Sequence, residues 1–523
     1  MPLPRVALYL LAAIVIALGA GISQGFVTAN LPQIAGDLGI TTTEASWLVV
    51  AYIVPRCCLP LMLVKLRAQF GLRRFTEAAI CAYVITSIAA LWIYDLRSAV
   101  VIEFLAGCAA ASLSTLAFLY FMEPLPQRLK MSVGLPAALT CFIMGPSLAR
   151  VISPELIGDG GLFRIHVFGL GLALVAMALV MRLPLAPVPH AKVIKPLDFV
   201  SFAFISFGFI GVIIAFVMGP IHWWTAAPWL GILLAAAIAS LVLAVIVELW
   251  RKEPLIDIRW LATPEMLHLS GALLLFRIIL SEQSAGAPRM FQILGVAPSQ
   301  MVTLFAVICL GSIVGGLACV AWMRPGRVPH LHLVALLLIA AGAWMDAHST
   351  IDTRPQQMLI SQGMIAVAGV LFMAPAMLTG LMTALKRGPQ YILSFVIIFI
   401  STQSVGGMLG SGAFTSLINN RQAVHYQHLQ EELTQGNGPM LQELGARMNA
   451  LAPQITDAAT LKAQAMAQIA AEANMQSYVL AYNDVYFITF LIALVAAGFL
   501  ILHVFRNWLT ARLAPETVSP TTL

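Results

Sequence analysis

Four ionisable side chains lie deep inside long apolar stretches. Arg56 sits in WLVVAYIVPRCCLPLMLV, Glu103 in AVVIEFLAGCAAASL, and Arg277 and Glu282 share ALLLFRIILSEQSAG. A charge at mid-bilayer is costly, so such a residue faces the protein interior or water, pairs, or takes part in moving ions. A carboxyl group withdrawn from water is suited to proton exchange, which makes Glu103 and Glu282 the candidates for proton coupling. Arginine keeps its proton. Arg56 and Arg277 therefore either pair with Glu103 or Glu282, or hold an anionic substrate. The bland alternative for all four is a set of static ion bridges that holds helices together.

Other residues are weaker signals. Gln24, Gln362 and Gln403 add polar groups near span interiors, where they could line a cavity. Trp47, Tyr52, Phe276 and Phe372 could stack on an apolar ligand, although ordinary packing explains them equally well. Small residues at 107–114, 311–316 and 404–414 permit close helix approach. Gly145 and Pro146 suggest a built-in bend in the fifth span. His425 and His428 are three apart and could share a helix face, but two histidines make a poor metal site and surface polarity is the expected reading. Asp484 reads as a boundary residue at the mouth of the last span.

Covalent chemistry finds no support. The chain has no G-x-x-x-x-G-K-[ST], no H-E-x-x-H and no G-x-S-x-G. No cofactor or metal is expected. The seven cysteines all fall in apolar runs, which argues against disulfides and a zinc cluster. The expectation is a secondary transporter driven by an ion gradient, not an enzyme.

The elements that carry these residues must be membrane helices. Of 523 residues, 60% are hydrophobic and 10% charged, with mean hydropathy +0.91. Soluble proteins carry roughly 25% charged residues, and a spanning helix needs about 20 apolar ones. Apolar runs occur at 7–29, 46–64, 76–94, 98–120, 133–153, 163–182, 197–218, 228–249, 266–286, 299–320, 331–347, 357–379, 391–417 and 484–505. The fold class is thus an all-α polytopic membrane protein with 14 transmembrane helices. The first run begins like a signal peptide, but its apolar stretch is too long, and it reads as a retained helix.

The net charge of +6 is spread over many loops and forms no basic face, so nucleic acid is not an expected partner. Loop charge does set orientation. Lys65, Arg67, Arg73, Arg74, Arg128, Lys130, Arg182, Lys192, Lys195, Arg251, Lys252, Arg259, Arg324, Arg327, Lys386 and Arg387 fall on one side, which places both termini in the cytoplasm. Residues 418–483 then face outside. This segment is polar and rich in Ala, Gln and Leu, and two or three amphipathic helices are expected in it.

LPQIAGDLG (31–39) followed by SWLVVAY (46–52), GPSLA (145–149) in span five, Gln362–Gly363 in span twelve and the long outer segment together resemble the major facilitator superfamily. More narrowly, the chain resembles the fourteen-span drug:proton antiporter branch. That resemblance implies a six-helix bundle over 1–190, two additional helices over 191–255 and a second six-helix bundle over 256–523. It implies a central cavity of alternating access in a bacterial inner membrane, with proton influx driving export of amphipathic or aromatic compounds. It further implies a periplasmic membrane-fusion adaptor and an outer-membrane channel as partners, besides substrate, protons and lipid.

The chain departs from the family pattern at several points. SQG (23–25) stands where an acidic residue is usual. VKLRAQFGLRRF (64–75) keeps Gly71, Arg73 and Arg74 but loses its acidic member. Glu103 reverses a usual arginine, Ala149 and Arg150 replace a motif glycine, and Arg56 has no obvious equivalent. These changes motivate two alternatives: a transporter of one specific organic anion or metabolite, and a non-transporting receptor or scaffold.

Overall fold

The computed structural model describes residues 2–158, 161–186, 192–388, 391–434 and 438–513. Helices dominate: α1 (Leu3–Ala29), α2 (Leu31–Asp37), α3 (Thr42–Cys58), α4 (Pro60–Phe70), α5 (Leu72–Ala89), α6 (Leu96–Met122), α7 (Gln127–Leu129), α8 (Leu135–Ile157), α9 (Gly161–Arg182) and α10 (Pro196–His222). They continue as α11 (Pro228–Trp250), α12 (Ile258–Leu261), α13 (Pro264–Ile279), α14 (Ala287–Ile293), α15 (Val302–Trp322), α16 (Val328–Asp346), α17 (Leu359–Arg387), α18 (Tyr391–Thr434), α19 (Gly438–Leu451) and α20 (Ala458–Leu513). Among the described residues thirteen helical stretches are long and apolar enough to cross a membrane; α2 and α3, bent by 116°, supply a fourteenth. The backbone must satisfy its own hydrogen bonds in lipid, which is why apolar runs of this length fold as helices.

Local sequence sets the ends. Thr41 caps α3 in a reciprocal box with Glu44, and Asp95 does the same for α6 with Ser98. Proline opens α4, α10, α11 and α13, where its missing N–H costs nothing. Gly71 closes α4 at φ +84°, a conformation a side chain would strain. The second span differs from expectation: it starts at Thr42, four residues earlier, and breaks at Leu59 before Pro60 continues it as α4. The fifth span is α8, which runs helical through Pro146 and Pro154 without a break.

The helices pack in two groups. α1 lies on α8, α6 and α9, and α3 lies on α6. In the other group α15 and α16 lie on α17, while α20 lies on α16 and α18. The groups meet along α8 and α15 on one side and through α10, which touches both α3 and α18, on the other. Close approach needs glycine at one crossing: a Cβ on Gly21 would sit 2.8 Å from the Cα of Gly145.

The segment 418–483 is not a connection between two finished spans. α18 runs on unbroken to Thr434, and α20 starts at Ala458 and continues through the last span. At about 1.5 Å per residue the 56 residues of α20 measure about 84 Å, far beyond a hydrocarbon core of about 30 Å. The two helices hold each other through Gln422, whose amide donates to Asn474 and Ser477 at 3.0 Å each. α19 folds back on α20 through Leu444, Met448, Leu451, Ala465 and Ile469. The polar surface of this segment hid the fact that the spans simply continue.

Candidate functional site

Glu282 lies where α13 ends and a π-helical turn, Glu282–Gly286, begins. π turns add one residue to a helical turn and re-aim side chains, often at functional positions. Its side chain points at the C-terminus of α16 and is fully buried. It lies near Asp346, 2% exposed, and the next residue, Gln283, donates to the carbonyl of Gln362 at 3.1 Å. Asp346 accepts from Ser361 Oγ at 2.5 Å and from Gln362 Nε2 at 2.7 Å, both on α17. Among the described residues no N–H or O–H reaches either Glu282 oxygen.

Arg56 on α3 and Arg277 on α13 lie where the two helix groups meet. α3 and α13 both pack on α18. The two guanidinium groups come close enough for their charges to interact. Arg56 donates to Gln24 Oε1 on α1 and lies 6.0 Å from the Tyr52 ring. Arg277 donates through Nε to the Gln403 carbonyl at 3.2 Å. Gly407 leaves room for its head: a Cβ there would lie 2.8 Å from Nη2. Among the described residues neither arginine forms an ion pair. Of the two pairings expected, Arg56 or Arg277 with Glu103 or Glu282, the structure makes neither.

Glu103 stands apart. It lines a cavity of about 460 Å³ between α1, α2, α5, α6 and α9, within the first helix group. Ser23, Tyr83, Ser87 and His166 share this mostly apolar wall. Tyr52 separates Glu103 from Arg56 and is near enough to both to feel their charge.

The remaining sequence candidates fall as follows. Gln24 serves Arg56 and Gln362 serves Asp346, while the Gln403 amide nitrogen is buried without a partner. Phe276 and Phe372 stack on each other, centroids 3.8 Å apart and planes 5° apart, and His332 stacks on Phe372 from its own side at 4.2 Å. Phe276 and Phe372 are buried within one hydrophobic cluster. Tyr52 is buried with its hydroxyl donating to the Ala20 carbonyl, and Trp47 is 36% exposed. Arg73 and Arg74 are exposed, and Arg73 pairs with its neighbour Glu77. Arg150 crosses to α15 and lies 5.0 Å over the Phe305 ring. His425 and Arg421 both donate to Asp484 Oδ2, at 2.7 and 2.6 Å, so Asp484 ties α18 to α20 instead of merely marking a boundary. Among the described residues no metal-binding cluster occurs.

Two groups escaped sequence reading. Asp346 closes an apolar run, which in the sequence looks like a solvated helix end. The second is a network at the opposite end of the helices from α19. Asp198, fully buried at the start of α10, accepts from Lys65 Nζ at 2.7 Å and from Arg251. Arg251 also pairs with Glu248 at 2.9 Å, and Glu248 accepts from the Ile256 amide at 2.8 Å. The network joins α4, α10 and α11.

Solved structures identify the architecture. The human organic anion transporter MFSD10 (TETRAN) is similar over 94% of this chain and 100% of its own, with TM-score 0.52 and 11% identity. A bacterial homologue of the human lysosomal transporter Spinster, inward-facing and occupied, matches over 96% and 97% at TM-score 0.52 and 14% identity. The proton:xylose symporter XylE, a major facilitator superfamily protein bound to 6-bromo-6-deoxy-D-glucose, matches over 98% and 97% at TM-score 0.54 and 12% identity. This is the major facilitator fold. No family model matches the sequence, and no curated protein does. At these identities the neighbours show the fold, and they do not single out the narrower drug-export branch.

Proposed function

We propose that this protein carries a small organic anion across the membrane, coupled to protons, with Arg56 and Arg277 holding the anion. One observation carries the reading: two half-buried guanidinium groups come close enough for their charges to interact, and among the described residues neither has a carboxylate partner. Two like charges held in a low-dielectric interior repel strongly and call for a counter-charge. A carboxylate, sulfonate or phosphate between them supplies it, and guanidinium is well shaped for such groups. The fold shared with a human organic anion transporter is compatible with this and adds nothing about substrate. The halves are read as 1–190 and 256–523, with 191–255 between them, and they rock about the anion in turn.

The test is transport by purified protein in proteoliposomes under an imposed proton gradient. An impermeant aromatic carboxylate such as p-aminohippurate is expected to accumulate. Arg56→Gln and Arg277→Gln are expected to abolish this uptake while leaving folded protein. Uptake of the carboxylate unchanged in both variants would overturn the anion assignment.

A second reading rests on α18, α19 and α20, which project well past the bilayer as a packed hairpin. Such a hairpin suits a docking surface for a periplasmic membrane-fusion adaptor leading to an outer-membrane channel, with proton-driven export of amphipathic or aromatic drugs from a bacterial inner membrane. Gradient-driven accumulation of a lipophilic cationic dye, with none of the carboxylate, would favour it. No gradient-driven movement of either compound would favour a receptor or scaffold.

A further inference from the structure

Proton coupling needs a group that gains and loses a proton as the site changes sides. We propose that Glu282 and Asp346 together form that group, a carboxyl pair holding one shared proton when the site is closed. The proposal rests on the transport reading for its role, but the shared proton stands on geometry.

The hydrogen bonds assign the proton. Asp346 accepts from two donors, Ser361 and Gln362, one at each oxygen, as an ionised carboxylate does. Glu282 receives no donor at either oxygen, which for an ionised buried carboxylate would be severe. As a carboxylic acid it donates its own O–H to Asp346 and the demand disappears. The pair then carries a single negative charge with its hydrogen bonds made. Loss of the shared proton leaves two adjacent negative charges in a site less than about a tenth exposed, so the closed form is available only to the protonated pair.

The surroundings do not offer another neutralising group. α20 brings Tyr482 and Tyr486, both fully buried. α14 brings Arg289, whose guanidinium bonds Thr415 at 3.4 Å on α18. Arg277 lies on α13 but its head is turned to Gln403 and Gly407. α17 contributes Ser361 and Gln362, which do not titrate. α18 carries no titratable group between Tyr391 and Arg421, and Arg421 is engaged by Asp484. His348, just beyond α16, bonds the Trp344 carbonyl at the surface.

A route to water is short. Asp346 is the last residue of α16. Three residues on, Ser349 exchanges two hydrogen bonds with Asn483 of α20, its amide donating at 3.2 Å and its carbonyl accepting at 2.8 Å. That contact closes the pair off from the face carrying α19. Parting α16 from α20 there would expose Asp346 and let the Glu282 O–H bond break, with the proton passing to water and both electrons staying on Glu282.

Two measurements test this. In infrared spectra of the folded protein at neutral pH, a protonated carboxyl band is expected that Glu282→Gln removes; its absence from wild type would overturn the shared proton. In proteoliposomes, Glu282→Gln and Asp346→Asn are expected to keep exchange of p-aminohippurate down its own gradient and to lose accumulation driven by protons. The Gln side chain still donates to Asp346, so the first variant retains the hydrogen bond. Proton-driven accumulation retained in both variants, or lost in Glu103→Gln while both retain it, would overturn the coupling role. If wild type moves no anion, the transport reading fails and the band still decides the pair.

Discussion

At the scale of single residues, the polar interior sorts by sign. Cations gather between the helix groups, and the carboxyl groups lie to either side, Glu103 in the first group and Glu282 with Asp346 in the second. This separation makes static ion bridging a poor account of Arg56 and Arg277. Gly407 gives a discriminating test, because its lack of a side chain leaves the space beside the Arg277 guanidinium. Gly407→Ala should displace that head and raise KM for the anion while changing the maximal rate little. A fall in maximal rate at unchanged KM would show that Arg277 is not where substrate binds. Arg277→Lys should restore part of the affinity lost in Arg277→Gln, since charge returns without the planar fork.

At the scale of elements, crossings and caps carry distinct jobs. α1 and α8 meet backbone to backbone at Gly21 and Gly145. Gly145→Val should cost about 1–3 kcal/mol by overpacking, read as a lower thermal midpoint in detergent. An unchanged midpoint would mean that this crossing yields freely. Pro146 beside it leaves α8 continuous, and the glycine pair is where the two backbones approach. At the far hairpin, Asp457 caps α20 and its carboxylate is held below the usual range by the Thr460 hydroxyl and amide. A depressed carboxylate contributes stability above its unfolded range and loses it as pH falls through the folded value. Protection of the amides at the start of α20, taken relative to intrinsic exchange at each pH, should therefore fall in acid, and Asp457→Asn should flatten that response. Pulling residues 435–457 out for a short flexible linker should leave vesicle transport intact, because α18 and α20 remain tied by Gln422 and Asp484. Loss of transport would make α19 part of the carrier.

At the scale of the whole molecule, two regions connect elements far apart in sequence. One is the Lys65–Asp198–Arg251–Glu248 network, which fastens α4 to α10 and α11. Asp198→Asn leaves buried cations without their counter-charge and should cost about 3 kcal/mol. The measurement is the thermal midpoint at high salt, where exposed pairs such as Arg73–Glu77 are screened and this one is not. A variant as stable as wild type would mean that the network contributes little to holding these helices. The other region holds Arg56 and Arg277, 221 positions apart in the chain (277 minus 56), which come within range of each other's charge because α3 and α13 both pack on α18.

Much of this was legible beforehand. Apolar length sufficed for the spans, since a lipid environment leaves the backbone few alternatives to helix. Charge inside those spans sufficed to pick Arg56, Glu103, Arg277 and Glu282, because a buried charge is costly wherever it sits. Partnership was not legible. Whether Arg56 meets Glu103 or Arg277, and whether Glu282 meets a cation or Asp346, depends on helix rotation and crossing, which apolar periodicity leaves open when a helix is apolar all round. Asp346 and Asp198 illustrate the same limit from the other side: at helix ends they look solvated, and only packing of α17 and of α4 with α11 buries them. Composition thus determined that this is a helical membrane protein with a few costly charges, and tertiary structure alone decided which of those charges face each other.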